Sequence, residues 1–181
     1  MNEVFETKSL FGGAVEISLP MRFTDTSTVR HVADAQEVYS DADSDQSIIL
    51  EFLAYNEVDD NHIAQYLFDD IADLNSAKNK RIFECNIDTN LGLQDVSIVL
   101  YGQQSVSKYN EDAVNVITMY LGVVRLKKYH TDMLLTVNVP VGFSPNSSSN
   151  STSKLYPFNS EMFLRIFRSI KILNFDLLNC W

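Results

Sequence analysis

The chain has 181 residues, 45% of them hydrophobic and 11% aromatic, and a formal net charge of −10. That length and composition suit a single globular domain over residues 1–181 and exclude a disordered tail. No apolar run approaches the roughly 20 residues needed to cross a bilayer, and the acidic start M-N-E-V-F-E-T-K lacks the basic and apolar parts of a signal peptide. Residues 1–76 hold 16 acidic and three basic side chains, residues 77–181 eight and 11. The N-terminal part would repel phosphate, so nucleic acid is not an expected partner, whereas a basic protein surface is its natural complement.

Lys8 to Leu19 reads as a hairpin, in which Gly12-Gly13 supplies a turn that tolerates positive φ. Met21 to Ala35 is mixed and polar, a loop with a short helical turn. Glu37 to Tyr39 predicts a short strand, and Ser47 to Ala54 (S-I-I-L-E-F-L-A) a longer one. Between them D-A-D-S-D is a solvated turn; it lacks the central Gly and the distal Glu of a calcium loop.

Asp59 to Ala77 gives the clearest helix, with Ile63, Leu67, Ile71 and Leu74 as its apolar stripe and Asp59 and Asp60 at the end where the helix dipole favours negative charge. Arg81 to Ile87, Val96 to Lys108, Val114 to Lys128 and Thr131 to Pro140 then read as strands. The third of these is apolar at both parities, which predicts a central strand covered on both faces. A low-complexity loop, Ser144 to Ser153, contains two glycosylation-type triplets at Asn146 and Asn150, which carry little weight without secretion. The final helix is expected at Asn159 to Leu173, with Phe163, Ile166, Phe167, Ile170 and Leu173 buried and Glu161 and Lys171 matched to its dipole. The resulting architecture is α+β, a mainly antiparallel sheet flanked by helices.

Enzyme motifs are absent: there is no phosphate-binding G-x-x-x-x-G-K, no G-x-S-x-G and no H-E-x-x-H. His31, His62 and His130 are scattered, and His62 suits a surface role. Cys85 and Cys180 lie far apart without metal-ligand spacing, which points to free thiols of an intracellular protein. No cofactor or metal is expected. What stands out is D-T-S-T-V-R-H-V-A-D-A-Q-E-V, Asp25 to Val38, followed by D-Q-S-I-I-L-E-F-L, Asp45 to Leu53. Their carboxylates come with no nucleophile–base pair, so they describe an acidic docking surface. Arg30 suits an internal ion pair that shapes the loop, and Gln36 a structural hydrogen bond; Asp34 and Glu37 are the stronger interface candidates.

The hairpin L-F-G-G-A, the segment R-x-V-x-D-x-Q-E-V, the strand D-Q-S-I-I-L-E-F-L and the late strand ending T-V-N-V-P occur in an order that resembles the Ran guanine nucleotide release factors, the nuclear import factors of the Mog family. The resemblance implies a Mog/PsbP-like α/β/α sandwich. It also implies a protein that binds the small GTPase Ran, promotes guanine nucleotide release without bond-breaking chemistry and holds the nucleotide-free form. By that resemblance Asp34 and Glu37 match the motif acids, Glu51 matches the strand acid and Asp25 flanks them, with Arg30 and Gln36 completing the Ran-contacting set. Two positions depart from the family pattern: Ala33 stands where Pro is usual, and Ala54 where a second strand carboxylate is usual, which shifts attention to Glu57. A monomer in the nucleus and cytoplasm, mainly nuclear, is the implied form. The other reading of the same acidic surface is an adaptor that binds a GTPase or transport factor without driving exchange.

Overall fold

Two antiparallel sheets organise the chain in a computed structural model that describes residues 3–91, 96–107, 114–142 and 156–180. The first is small, with strand order β1-β2-β10: β1 (Phe5–Leu10), β2 (Val15–Pro20) and β10 (Lys171–Ile172). The second has seven strands in the order β3-β4-β5-β9-β8-β7-β6. Its members are β3 (Thr24–Asp25), β4 (Gln36–Asp41), β5 (Gln46–Ala54), β6 (Asn79–Ile87), β7 (Val96–Ser107), β8 (Val114–Leu126) and β9 (Thr131–Gly142). Helix α1 (Ile63–Leu74) covers one face of this sheet; α2 (Ser160–Phe167) and the small sheet cover the other. The layers are therefore helix, large sheet, then small sheet with helix, as an α+β sandwich of the expected kind.

Strand β8 shows why the order of layers follows from the sequence. Tyr120, Val124 and Leu126 enter the core shared with the small sheet and α2, while Met119, Leu121 and Val123 enter the core under α1. A strand that is apolar at both parities needs cover on both faces, and β8 has it, with β7 and β9 as its neighbours. Two glycines let the helices come down onto these strands. A Cβ on Gly122 would lie 2.4 Å from the Phe167 ring of α2, and one on Gly102 of β7 would lie 2.9 Å from the Phe68 ring of α1. Each helix thus seats a phenylalanine where the strand has no side chain, on opposite faces of the sheet.

A buried cation ties the long connection between β5 and α1 to the sheet. Arg125 is 0% exposed. Its Nε donates to Asp132 Oδ1 at 2.8 Å across the β8–β9 pair, its Nη1 donates to the Val58 carbonyl at 2.8 Å, and its Nη2 donates to the Asn56 carbonyl. Asp60 lies 3.1 Å away, Tyr55 stacks on the guanidinium, and Asp132 Oδ2 accepts the Asn56 N–H at 3.0 Å. A buried guanidinium is tolerated only when its donors are met, and here carboxylate and carbonyl oxygens surround it.

Both helices are shorter than their sequence patterns suggest. Helix α1 begins after Asp59 and Asp60, which form the preceding turn, and Leu74 is 78% exposed instead of completing the stripe. The buried set is Ile63, Ala64, Leu67, Phe68 and Ala72, because the small Ala positions let the helix approach the sheet. Helix α2 starts with Asn159, whose side chain accepts the Met162 N–H at 2.9 Å, and stops at Phe167. Lys171 and Ile172 then pair with Glu16 and Val15, so strand formation replaces the expected last turn and leaves Leu173 57% exposed. Cys85 is free and exposed; the Ser144–Ser153 loop and the side chain of Cys180 lie outside the described residues.

Substituting Gly122→Ala should force the Phe167 ring or its helix to move, at a cost of about 1–3 kcal/mol. Urea denaturation at constant slope checks this; a stability equal to that of the unaltered protein would show that the ring can step aside freely.

Candidate functional site at the acidic sheet edge

The predicted acidic residues converge on the β3–β4–β5 end of the large sheet, at the start of β4 and the end of β5. The chain arrives through Asp25, which ends β3 and whose carboxylate accepts the Ser27 N–H at 2.8 Å, opening a 3-10 turn at Thr26–Thr28. It then runs through exposed Arg30 and Asp34 into a turn closed by the Gln36 N–H on the Ala33 carbonyl, 2.9 Å. The Phe52 N–H meets the Ala35 carbonyl at 3.0 Å, which fixes this turn beside the end of β5. Gln36 pairs in register with Glu51, and Glu37 with Leu50.

Strand alternation splits the set between the two faces of the sheet. Gln36 and Glu51 lie on the face that carries α1, joined by a 2.7 Å hydrogen bond from Gln36 Nε2 to Glu51 Oε2. Glu37 lies on the face that carries the small sheet, next to Tyr39, where its carboxylate accepts the N–H of Phe11. Phe11 is a non-glycine residue with φ +49° at the hairpin turn, so Glu37 stabilises a strained backbone in L-F-G-G-A. The two sequence motifs are thus physically joined. Glu37 is consequently a structural as well as a surface residue, and an unaffected fold is not the expected result of charge reversal there.

Burial governs the electrostatics of this corner. It raises the Glu51 carboxyl above the ordinary glutamate range, against the Gln36 hydrogen bond. It also raises Glu37, helped by the charge of Asp25 and opposed by the Phe11 N–H. Tyr39 is pushed up to about 12, by burial first and then by Glu37, Asp25 and Glu6. Glu6, on β1, therefore belongs to the same negative seam between the two sheets, although its sequence context gave no sign of it. Lys8 bonds Glu6 at 2.6 Å and stands 6.0 Å over the Tyr39 ring, leaving Asp25 and Glu37 uncompensated by it.

The expected internal ion pair of Arg30 is not formed: among the described residues its guanidinium meets no carboxylate. The reason is local, since the turn before it places the side chain in solvent. The cation that does organise the N-terminal part is Arg22, which donates to Asp41 Oδ2 at 2.7 Å and to Gln46 Oε1 at 2.8 Å. Burial opposes ionisation of Asp41, yet the Ser44 hydroxyl, Arg22 and the Asp43 N–H together hold it below the usual range. Asp41 of D-A-D-S-D thus faces inward to Arg22, and among the described residues no group of three or more His, Cys, Asp or Glu is arranged to hold a metal. Ala54 and Glu57 are both exposed near the end of β5.

The two-sheet sandwich with its flanking helices is a fold of the Mog/PsbP-like class. The budding-yeast Ran-binding protein Mog1p superposes with a TM-score of 0.75 at 22% identity, covering 97% of this chain and 99% of that one. A cyanobacterial PsbP from Synechocystis superposes at 0.55 and 9% identity, over 95% and 94% of the two chains. The family model described as "Ran-interacting Mog1 protein" matches residues 8–140, and the chain belongs to that family. A Dictyostelium discoideum protein named probable ran guanine nucleotide release factor is 36% identical over 98% of both chains. A fission-yeast protein named nuclear import protein mog1 is 31% identical over 80% of both.

The double role of Glu37 predicts a graded response. Glu37→Ala removes the acceptor for the Phe11 N–H and should cost about 1–3 kcal/mol, whereas Glu37→Gln keeps an acceptor oxygen and should cost less than half as much. Parallel urea titrations compare them; equal losses would mean that charge, not the hydrogen bond, holds the turn.

Proposed function

We propose that this chain binds the GTPase Ran through the acidic β3–β4–β5 edge, promotes release of its guanine nucleotide and holds the nucleotide-free form, in support of nuclear protein import. The observation that carries the reading is similarity along essentially the whole chain to a protein named as a Ran guanine nucleotide release factor. The edge supplies the contact: Asp25, Asp34, Glu37 and Glu51 offer negative charge to basic groups of the GTPase, Gln36 holds Glu51 in place, and solvent-facing Arg30 is available for a partner carboxylate. The chain acts as one Ran-binding domain over residues 1–181, as a monomer, in nucleus and cytoplasm with the nuclear pool larger. Its action needs no bond-breaking chemistry.

Release follows from linkage. A protein that binds the empty GTPase more tightly than the loaded one must weaken nucleotide binding by the same factor, and about 3 kcal/mol of coupling corresponds to about 150-fold. A GTPase holds its nucleotide with a phosphate-binding Lys and Mg²⁺. Carboxylates at a sheet edge compete for that Lys or displace the segments that complete the Mg²⁺ site.

The sign of the pH dependence is fixed by the raised carboxyls. In the free protein Glu37 and Glu51 titrate above the ordinary glutamate value of 4.5. Pairing with a basic group lowers both, so affinity should rise as pH increases through the free-state values and fall below them. The experiment is release of a fluorescent guanine nucleotide from purified Ran, with competitor nucleotide and increasing amounts of this protein, at several pH values above 4.5. Saturable acceleration is expected, with a pH slope that flattens in the Glu37→Gln, Glu51→Gln double variant. Binding without acceleration would make the protein an adaptor, and absence of binding would remove Ran as the partner.

A further inference from the structure

The sheet has two ends, and they differ in charge. At the end opposite the acidic edge, β6 is the outermost strand, and every residue of Asn79–Ile87 except Ile82 is exposed. Among the described residues no strand pairs with its outer side, so alternate N–H and C=O groups face solvent. Phe83 is 38% and Ile87 60% exposed. Residues 78–87 carry Lys78, Lys80 and Arg81 against Glu84 alone, in a chain whose net charge is −10.

The basic residues are not equivalent. Lys80 is bound to Asp69 at 2.8 Å and lies 3.7 Å from Asp73, so it is neutralised by α1. Arg81 meets no carboxylate among the described residues; its guanidinium stands 5.1 Å over the Phe83 ring. Phe83 is the extra residue of a bulge between Ile82 and Glu84, and its ring lies 5.0 Å from Tyr101, which stacks in turn on Tyr120 at 5.0 Å. Bulges and lysines commonly protect an edge from pairing with other chains. Lys80 fits that role, but an uncompensated Arg on an exposed aromatic does not.

Two clefts flank this stack on the same face of β6 and β7. One, about 280 Å³, is lined by Asn79, Lys80, Arg81, Gln103 and Ser105, all cationic, amide or hydroxyl groups, together with Val116. The other, about 150 Å³, is lined chiefly by Val99, Tyr101, Tyr120, Phe163 and Leu164, with Glu84, Asn86 and Ser160 at its polar side. The first suits a carboxylate and the second an apolar side chain. We propose that β6 is a second docking surface, which takes an extended acidic peptide segment of a partner protein by strand addition. The segment's backbone pairs with the outer side of β6, an Asp or Glu enters the cleft at Arg81, and an apolar residue enters the cleft at Tyr101. The clefts centre on positions about four residues apart along β6, about 13 Å at strand rise, so the two side chains sit at i and i+4 on one face of the peptide. Charge selects the occupant: β6 of a second copy would set Lys78, Lys80 and Arg81 against their own kind, and a basic peptide would likewise lack the complement to Arg81.

The test uses the full chain and a fluorescein-labelled nine-residue peptide of Thr and Val, with Glu at its third and Phe at its seventh position. Fluorescence anisotropy should show saturable binding, weakened at least tenfold by Arg81→Glu and by replacing the peptide's Glu with Lys, and restored when both changes are combined. Methylating alternate peptide nitrogens should abolish binding in one register and spare it in the other. Arg81 is exposed, and circular dichroism of Arg81→Glu should match that of the unaltered protein. No binding at millimolar peptide, binding indifferent to Arg81→Glu, or self-association of the chain through β6 seen by sedimentation would each overturn the proposal.

Discussion

The buried guanidinium of Arg125 is the constraint on which the arrangement of the layers depends. It lies at the end of β8, beside the β8–β9 turn, and reaches across the pair to Asp132 and out to the Asn56 and Val58 carbonyls. Those carbonyls belong to the connection that ends β5 and begins α1. One side chain therefore fixes where the acidic strand ends and where the covering helix starts. Removing either partner would leave a charge buried without compensation, the costly way to break such a pair, typically about 3–5 kcal/mol. Asp60 and Lys127, 2.7 Å apart, extend the same network to the surface.

With that frame in place, the acidic edge becomes a consequence of strand register. The β4–β5 pairing sets Gln36 against Glu51 and sends Glu37 to the other face, where it caps the hairpin of the small sheet. Partial burial makes these carboxylates more costly to ionise alone and so more responsive to a cationic partner. The other end of the same sheet carries Arg81, which meets no carboxylate among the described residues, beside exposed Phe83. The two proposed docking surfaces thus lie at opposite ends of one seven-stranded sheet.

Much of this was legible in the sequence, and particular residues show where legibility ended. The double-parity apolar pattern of β8, the Gly-Gly hairpin and the helix at Ile63 all follow from periodicity and turn chemistry, because local spacing controls them. The missed features are pairwise. Arg30 looked like the ion-pairing arginine of the N-terminal part because it sits among acids, yet Arg22 holds that role through Asp41 and Gln46. Proximity in sequence did not translate into proximity across strands. The last turn of the expected C-terminal helix was lost to pairing with β2, a partner some 150 residues away that no local pattern reveals. One signal was present but unread: an Arg inside the apolar run V-V-R-L, seven residues before Asp132 across a tight turn, describes a cross-strand ion pair.

The split of the acidic residues between two faces makes the location of the GTPase contact the central claim. Hydrogen–deuterium exchange of the chain alone and in complex with nucleotide-free Ran tests it most directly. Slower exchange confined to segments 30–37 and 51–57 is the predicted result. Unchanged exchange there, with protection instead along β6 or over α1, would place Ran elsewhere and contradict the account.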